Sequence, residues 1–153
     1  GGMVNKFIGD AVMAIFGSPV RYPDHARRGL RAALQMAKEA EDFKLWMRER
    51  FPDRGLPEFG IGIGLHSGEA VIGDIGSVKR TEFTAIGDTV NAASRLEGVT
   101  KEMRCVLVAS KATVDAAGAA VVTGKQETIK VKGKDEAIEV FEILGFNSGI
   151  AEK

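Results

Sequence analysis

Apolar residues recur along the chain in two rhythms, and the switches between them mark out the elements. Residues 5–8 and 11–16 are short β-prone runs on either side of Gly9-Asp10, a dipeptide with the composition of a tight hairpin turn. Gly17-Ser18-Pro19 and Tyr22-Pro23 then mark a loop, and Asp24 stands where a helix N-cap belongs. From 25 to 50 the rhythm lengthens. Ala26, Leu30, Ala33, Leu34, Ala37, Ala40, Phe43 and Met47 recur at helical spacing, with Arg, Lys and Glu between them and Pro52 just past the end. The pattern predicts a long amphipathic helix whose charged run is a solvated face.

The next stretch, FGIGIGLHSGEAVIGDIG at 59–76, alternates Ile and Leu with Gly. It predicts a strand lacking bulk on one face, so that something must approach that face closely. His66-Ser67-Gly68 predicts a turn and 69–75 a returning strand. A polar loop at 77–81, a short strand at 82–86 and a helix from 89 to about 98, capped by Asp88, come next. A strand at 106–109, a short helix at 110–117 and a strand pair at 127–132 and 137–144 around Gly133-Lys134-Asp135 complete the order. The tail beyond Gly145 is expected to fray. The order β-β-α-β-β-α-β-α-β-β implies an α+β sandwich with helices on one face of a largely antiparallel sheet. One domain at 1–146 and a tail at 147–153 are expected, without internal repeats.

Composition narrows the functions. With 153 residues and 44% hydrophobic positions the chain can bury a real core. Lys+Arg 21 balances Asp+Glu 21, which excludes a broad nucleic-acid footprint but leaves room for a local basic pocket that holds a small anion. A single cysteine, Cys105, excludes an internal disulfide and a cysteine-based zinc site, and two histidines make a histidine-rich metal site equally unexpected. No apolar run approaches the roughly 20 residues that span a bilayer, and no signal peptide is visible. The expectation is a cytoplasmic domain with no direct membrane contact from this segment. Gly60, Gly62 and Gly64 do not make a dinucleotide fingerprint, because Leu65 or Ser67 stands where the third glycine belongs, and no phosphate-cradling G-x-x-x-x-G-K-[ST] loop occurs.

Two places carry candidate chemistry. Asp10 sits at the predicted hairpin tip with Lys6 four residues before it. Asn91 and Arg95 are four apart on the predicted helix and share a face. Taken singly, these are a turn residue, a surface Asn, a solvated Arg and, in Asp88, a cap. Taken in order, FIGDAVMAIFG, GIGLHSGEAVIGDIG and FTAIGDTVNAASRLE closely resemble the catalytic domain of class III nucleotidyl cyclases, from about Met3 to Leu144.

The resemblance implies a ferredoxin-like βαββαβ core with an antiparallel sheet and extra C-terminal strands. It also implies a reaction in which the ribose 3′-oxygen of a nucleoside triphosphate attacks its own α-phosphorus and expels pyrophosphate. Two divalent cations, Mg2+ or Mn2+, would assist, and Asp10 matches one of the family's two metal-binding aspartates. Asn91 matches the residue that orients the ribose, and Arg95 the arginine that stabilises charge on the phosphate. Lys132 matches a lysine that binds the terminal phosphates, with Lys130 and Lys134 as neighbours that could be mistaken for it. Lys6 stands at the adenine-reading position and Thr84 at its partner position. An ammonium only donates hydrogen bonds, so Lys6 suits adenine N1 and opposes guanine N1, whereas a Thr hydroxyl can accept from one base or donate to the other. ATP is therefore expected over GTP. Thr84 places the chain near a subgroup that includes bicarbonate-responsive enzymes. One chain with both residue sets resembles the homodimeric type, with composite sites between two subunits to which the glycine-rich strand and its return contribute.

The match has a break. The family's other metal-binding aspartate lies on a strand upstream of this hairpin, and that first β-α unit is absent here. The expectation is a piece of a cyclase domain with a gap in its sheet, which alone binds metal poorly and catalyses little. The alternatives are a non-catalytic dimerisation or regulatory module and a guanylate cyclase. A diguanylate cyclase would need a GGEEF-like turn where this hairpin reads IGDA, and an RNA-binding sheet would need aromatics on its central strands.

Overall fold

The computed structural model describes residues 1–131 and 137–147. In chain order the elements are β1 (Gly2–Ile8), β2 (Ala11–Phe16), α1 (His25–Arg50), β3 (Ile63–Leu65), β4 (Val71–Ser77) and β5 (Arg80–Ile86). They continue with α2 (Asp88–Met103), β6 (Leu107–Ser110), α3 (Lys111–Ala117), β7 (Val121–Ile129) and β8 (Ile138–Phe146). The class is α+β as expected, but three strands separate α1 from α2 where the expected order β-β-α-β-β-α-β-α-β-β has two. Lys132, the turn at 133–135 and the tail from 148 lie outside the described residues.

The strands form a hairpin β1-β2, a hairpin β4-β5 and a four-stranded sheet in the order β3-β6-β8-β7. That sheet is mixed: β3 runs parallel to β6, while β6 and β7 both run antiparallel to β8. Helices cover both of its faces, which corrects the expectation of one. Strand β6, LVAS, is buried throughout. Val108 joins Ala92, Leu96, Val99 and Met103 of α2 with Val140 of β8. Leu107 and Ala109, facing the other way by the two-residue period of a strand, join Ala26, Leu30 and Ala33 of α1, Ala117 of α3 and Ile143. Leu30 and Leu96 have no exposed surface, and burying each contributes about 1.5–3 kcal/mol. A strand with apolar residues on both sides needs a cover on both sides.

The glycine-rich stretch now has its explanation. In its first half, 59–65, only residues 63–65 pair as a strand, and α2 is what approaches the bare face there. A Cβ at Gly64 would overlap the backbone of Ala93 and Glu97, so the strand and helix backbones lie directly against each other. The buried face of α1 likewise rests on two strands at once: a Cβ at Gly29 would lie 3.2 Å from Leu65 of β3 and 3.6 Å from Phe16 of β2.

Several boundaries differ from the pattern reading. Asp88 is the first residue of α2 rather than its cap; Gly87, at φ 126°, holds the N-cap position and its carbonyl accepts from Val90 and Asn91. An acidic residue in the first turn still suits the positive end of the helix. Helix α2 continues past Gly98 because Val99, Thr100 and Met103 extend its buried stripe. Asp24 does precede α1, but its carboxylate pairs with Arg28 at 2.7 Å instead of capping. The polar segment at 77–81 is split between β4 and β5, which pair down to Ser77 opposite Arg80.

Candidate active site

The hairpin β1-β2 turns through the two residues Gly9 and Asp10, since Ile8 pairs with Ala11. Gly9 has φ 62°, and a glycine with positive φ at the first loop position fits the turn to the twist of the strands. The Asp10 side chain is thereby left exposed at the tip. One hard-oxygen donor is available there for a divalent cation. Among the described residues no group of three or more His, Cys, Asp or Glu gathers to hold a metal ion. Asp10 by itself does not make a two-ion site, and no step below is routed through a metal.

Further down β1 the register slips. Val4 pairs with Ala14 and Lys6 with Met13, so Asn5 is an extra residue, a β-bulge. Strict alternation would send the side chains of residues 5 and 6 to opposite faces; the bulge lets both reach β5. The Lys6 ammonium lies 3.2 Å from Glu82. The Asn5 amide nitrogen donates to the carbonyl of Phe83 at 2.7 Å, and its oxygen accepts from the Thr84 hydroxyl at 2.9 Å. Lys6 and Thr84, 78 positions apart, thus take part in neighbouring but separate polar contacts between β1 and β5. Thr84 is buried while Lys6 is half-buried. Across the β4-β5 ladder Thr84 faces Gly73, and a side chain built at Gly73 would meet no atom within 4 Å. Cross-strand partners share a face, so the open space lies at Gly73, beside a Thr84 that is itself buried.

Asn91 and Arg95 follow each other on one face of α2, one turn apart, with Asn91 exposed. The Arg95 guanidinium donates to both carboxylate oxygens of Glu102, at 2.7 and 3.4 Å. That hydrogen bond raises the Arg95 pKa and lowers that of Glu102. The N-terminus of α2 is tied to the turn between β3 and β4, where the Thr89 hydroxyl donates to the Glu69 carbonyl. The same turn is held from its other end, since His66 Nδ1 lies 2.8 Å from the Ser110 hydroxyl and Ser67 Oγ 3.0 Å from that of Thr113. Lys132 lies outside the described residues.

Glu82, Glu102 and Asn5 were not singled out by sequence reasoning. Glu102 stands seven residues beyond Arg95, two helical turns along the same face, and that spacing was visible. The adjacent polar pair Asn5-Lys6 interrupts strand alternation, which is the trace a bulge leaves in a sequence.

A family model described as the adenylate and guanylate cyclase catalytic domain matches residues 4–144. Adenylate cyclase 1 of Rhizobium meliloti is 38% identical over 144 residues, which is 94% of this chain and 21% of that protein. An adenylate cyclase of Anabaena cylindrica is 36% identical over 146 residues, 94% of this chain and 28% of that protein. The chain spans less than a third of either relative. Among solved structures, the guanylyl cyclase Cya2 is similar with a TM-score of 0.82 at 27% identity, over 97% of this chain and 72% of that one. The family match begins in β1, beside the bulge, and ends in β8, taking in both hairpins and α2. The chain belongs to the adenylate and guanylate cyclase catalytic domain family.

Proposed function

We propose that this domain is an adenylate cyclase, converting ATP to 3′,5′-cyclic AMP and pyrophosphate for intracellular signalling. The observation that carries this reading is that Lys6 and Thr84 both lie where β1 meets β5, Lys6 against Glu82 and Thr84 against Asn5. An ammonium there can donate to adenine N1, an acceptor, whereas guanine N1 carries its own hydrogen. In the reaction the ribose O3′ forms a bond to the α-phosphorus and the bond from that phosphorus to the bridging oxygen breaks. Pyrophosphate leaves, and the hydroxyl proton is lost. Arg95 suits the developing negative charge on the phosphate oxygens, and Asn91, one turn away, suits a ribose hydroxyl. Lys132 is assigned to the terminal phosphates by resemblance, and Asp10 is proposed as one ligand to Mg2+ or Mn2+.

The working unit proposed is a homodimer with two equivalent composite sites, each taking Asp10 from one copy and Lys6, Thr84, Asn91 and Arg95 from the other. Phe7, Ile8 and Val71 are 75%, 58% and 65% exposed, an apolar display that supports burial of both hairpins in an assembly. Guanylate cyclase is the second reading, favoured by the likeness to Cya2, and Lys6 weighs against it.

The test is Arg95→Ala in the full-length protein. Its only described ion pair is a surface contact with Glu102, of a kind that contributes about 0–1 kcal/mol, so the melting temperature should barely change. Cyclic AMP formation should fall about a hundredfold, the cost of removing one group that meets developing charge. Unchanged turnover would overturn the site.

A further inference from the structure

A threonine hydroxyl carries one hydrogen, and where that hydrogen points decides whether a base meets a donor or an acceptor. At Thr84 the direction is settled by a chain of two contacts. The Phe83 carbonyl can only accept, so the group of Asn5 that faces it at 2.7 Å is the amide nitrogen. The Asn5 oxygen is then left facing Thr84 at 2.9 Å, and an amide oxygen can only accept. The Thr84 hydrogen is therefore committed to Asn5, and only the lone pairs of the hydroxyl remain for a ligand. We infer that Asn5 is a specificity-determining residue: by holding Thr84 as an acceptor, it makes the site favour a 6-aminopurine over a 6-oxopurine nucleotide.

The exocyclic amine of adenine donates, and a hydroxyl held this way accepts from it. The O6 of guanine accepts, so it would meet lone pairs and no hydrogen. Thr84 by itself, free to rotate, serves either base; Asn5 removes that freedom. The bulge is what makes the arrangement feasible, because it sends Asn5 to the same strand that Lys6 reaches. Lys6 and Thr84 then discriminate by separate contacts, one at N1 and one at the 6-position. Asn5 need not touch the nucleotide and acts as a positioning residue.

This inference rests on the reading of the domain as an adenylate cyclase, and one experiment separates the two. The full-length protein and its Asn5→Ala variant are given ATP and GTP in competition, and the ratio of kcat/KM for the two is measured. Asn5→Ala should lower the ATP preference about tenfold, the size of one misdirected hydrogen bond. Adding Thr84→Asp to Asn5→Ala should restore the preference, because an ionised carboxylate accepts without being held, and a general loss of packing would not be rescued this way. If thermal melting shows Asn5→Ala to be unfolded, Asn5→Ser replaces it, since its hydroxyl is too short to reach Thr84. A parent that prefers ATP together with an Asn5 variant that keeps the full preference overturns the role of Asn5 and leaves the adenylate cyclase reading standing. A parent that makes no cyclic AMP overturns both.

Discussion

Lys6 illustrates how far a single residue can be read. Its position four before Asp10 and its donor-only chemistry were legible in the sequence, but its neighbour was not, because Glu82 belongs to another hairpin. The ammonium is paired with that carboxylate at 3.2 Å. A glutamate in its place would meet Glu82 as a like charge and would offer acceptors where adenine N1 also accepts. Lys6→Glu should therefore lower, or invert, the preference for ATP over GTP measured by competition. An unchanged ratio would remove Lys6 from base recognition. Asn91 and Arg95 were legible for a similar reason: helical spacing alone puts them on one face. Asn5 escaped notice because a bulge is a property of two strands in register, and one strand read alone shows only an interrupted alternation.

At the scale of elements, α1 was legible from His25 to Arg50 because its apolar spacing is regular and both ends carry proline-containing loops. The strands β6 and β3, with four and three residues, carry too little pattern to reveal which helix lies on which face. Strand β7 begins at Val121, well before the expected 127, since its middle is exposed and polar and has no periodic signal. The C-terminal end of α1 also shows how an element is fastened. Glu58, in the loop after the helix, accepts from Lys44 at 2.9 Å and Arg48 at 2.6 Å. Beside them Phe59 meets Phe43 edge-on at 4.9 Å, and Phe43 stacks on Trp46 at 5.6 Å between ring centres. The hydrogen bond from Lys44, with the charges of Lys44 and Arg48, holds the Glu58 carboxyl below its usual value of 4.5. Such a group stabilises the contact above that value and ceases to do so as pH falls through the lowered one. Trp46 is the single tryptophan, so its emission reports on this corner. Acidification below about 4.5 should shift that emission to the red, and Glu58→Gln should reproduce part of the shift at neutral pH. A variant with parental emission across the whole range would show that the ion pairs do not hold the loop.

For the whole molecule, a mixed four-stranded sheet covered on both faces carries two hairpins, and the candidate residues sit on those hairpins and on α2. The expected element order had one strand too few between α1 and α2, whereas the family and the α+β class were both visible in the sequence. The three-layer arrangement was not, because which face a helix covers depends on contacts between distant segments. None of the described helices is long and apolar enough to cross a membrane. What joins these levels is that a bulged strand of one hairpin meets a strand of the other, and the proposed base recognition rests on that meeting. The most direct measurement is the product formed by the full-length protein when Mn2+ is supplied with ATP and GTP together. The account predicts cyclic AMP as the main product. Cyclic GMP as the main product, or neither cyclic nucleotide, would contradict it.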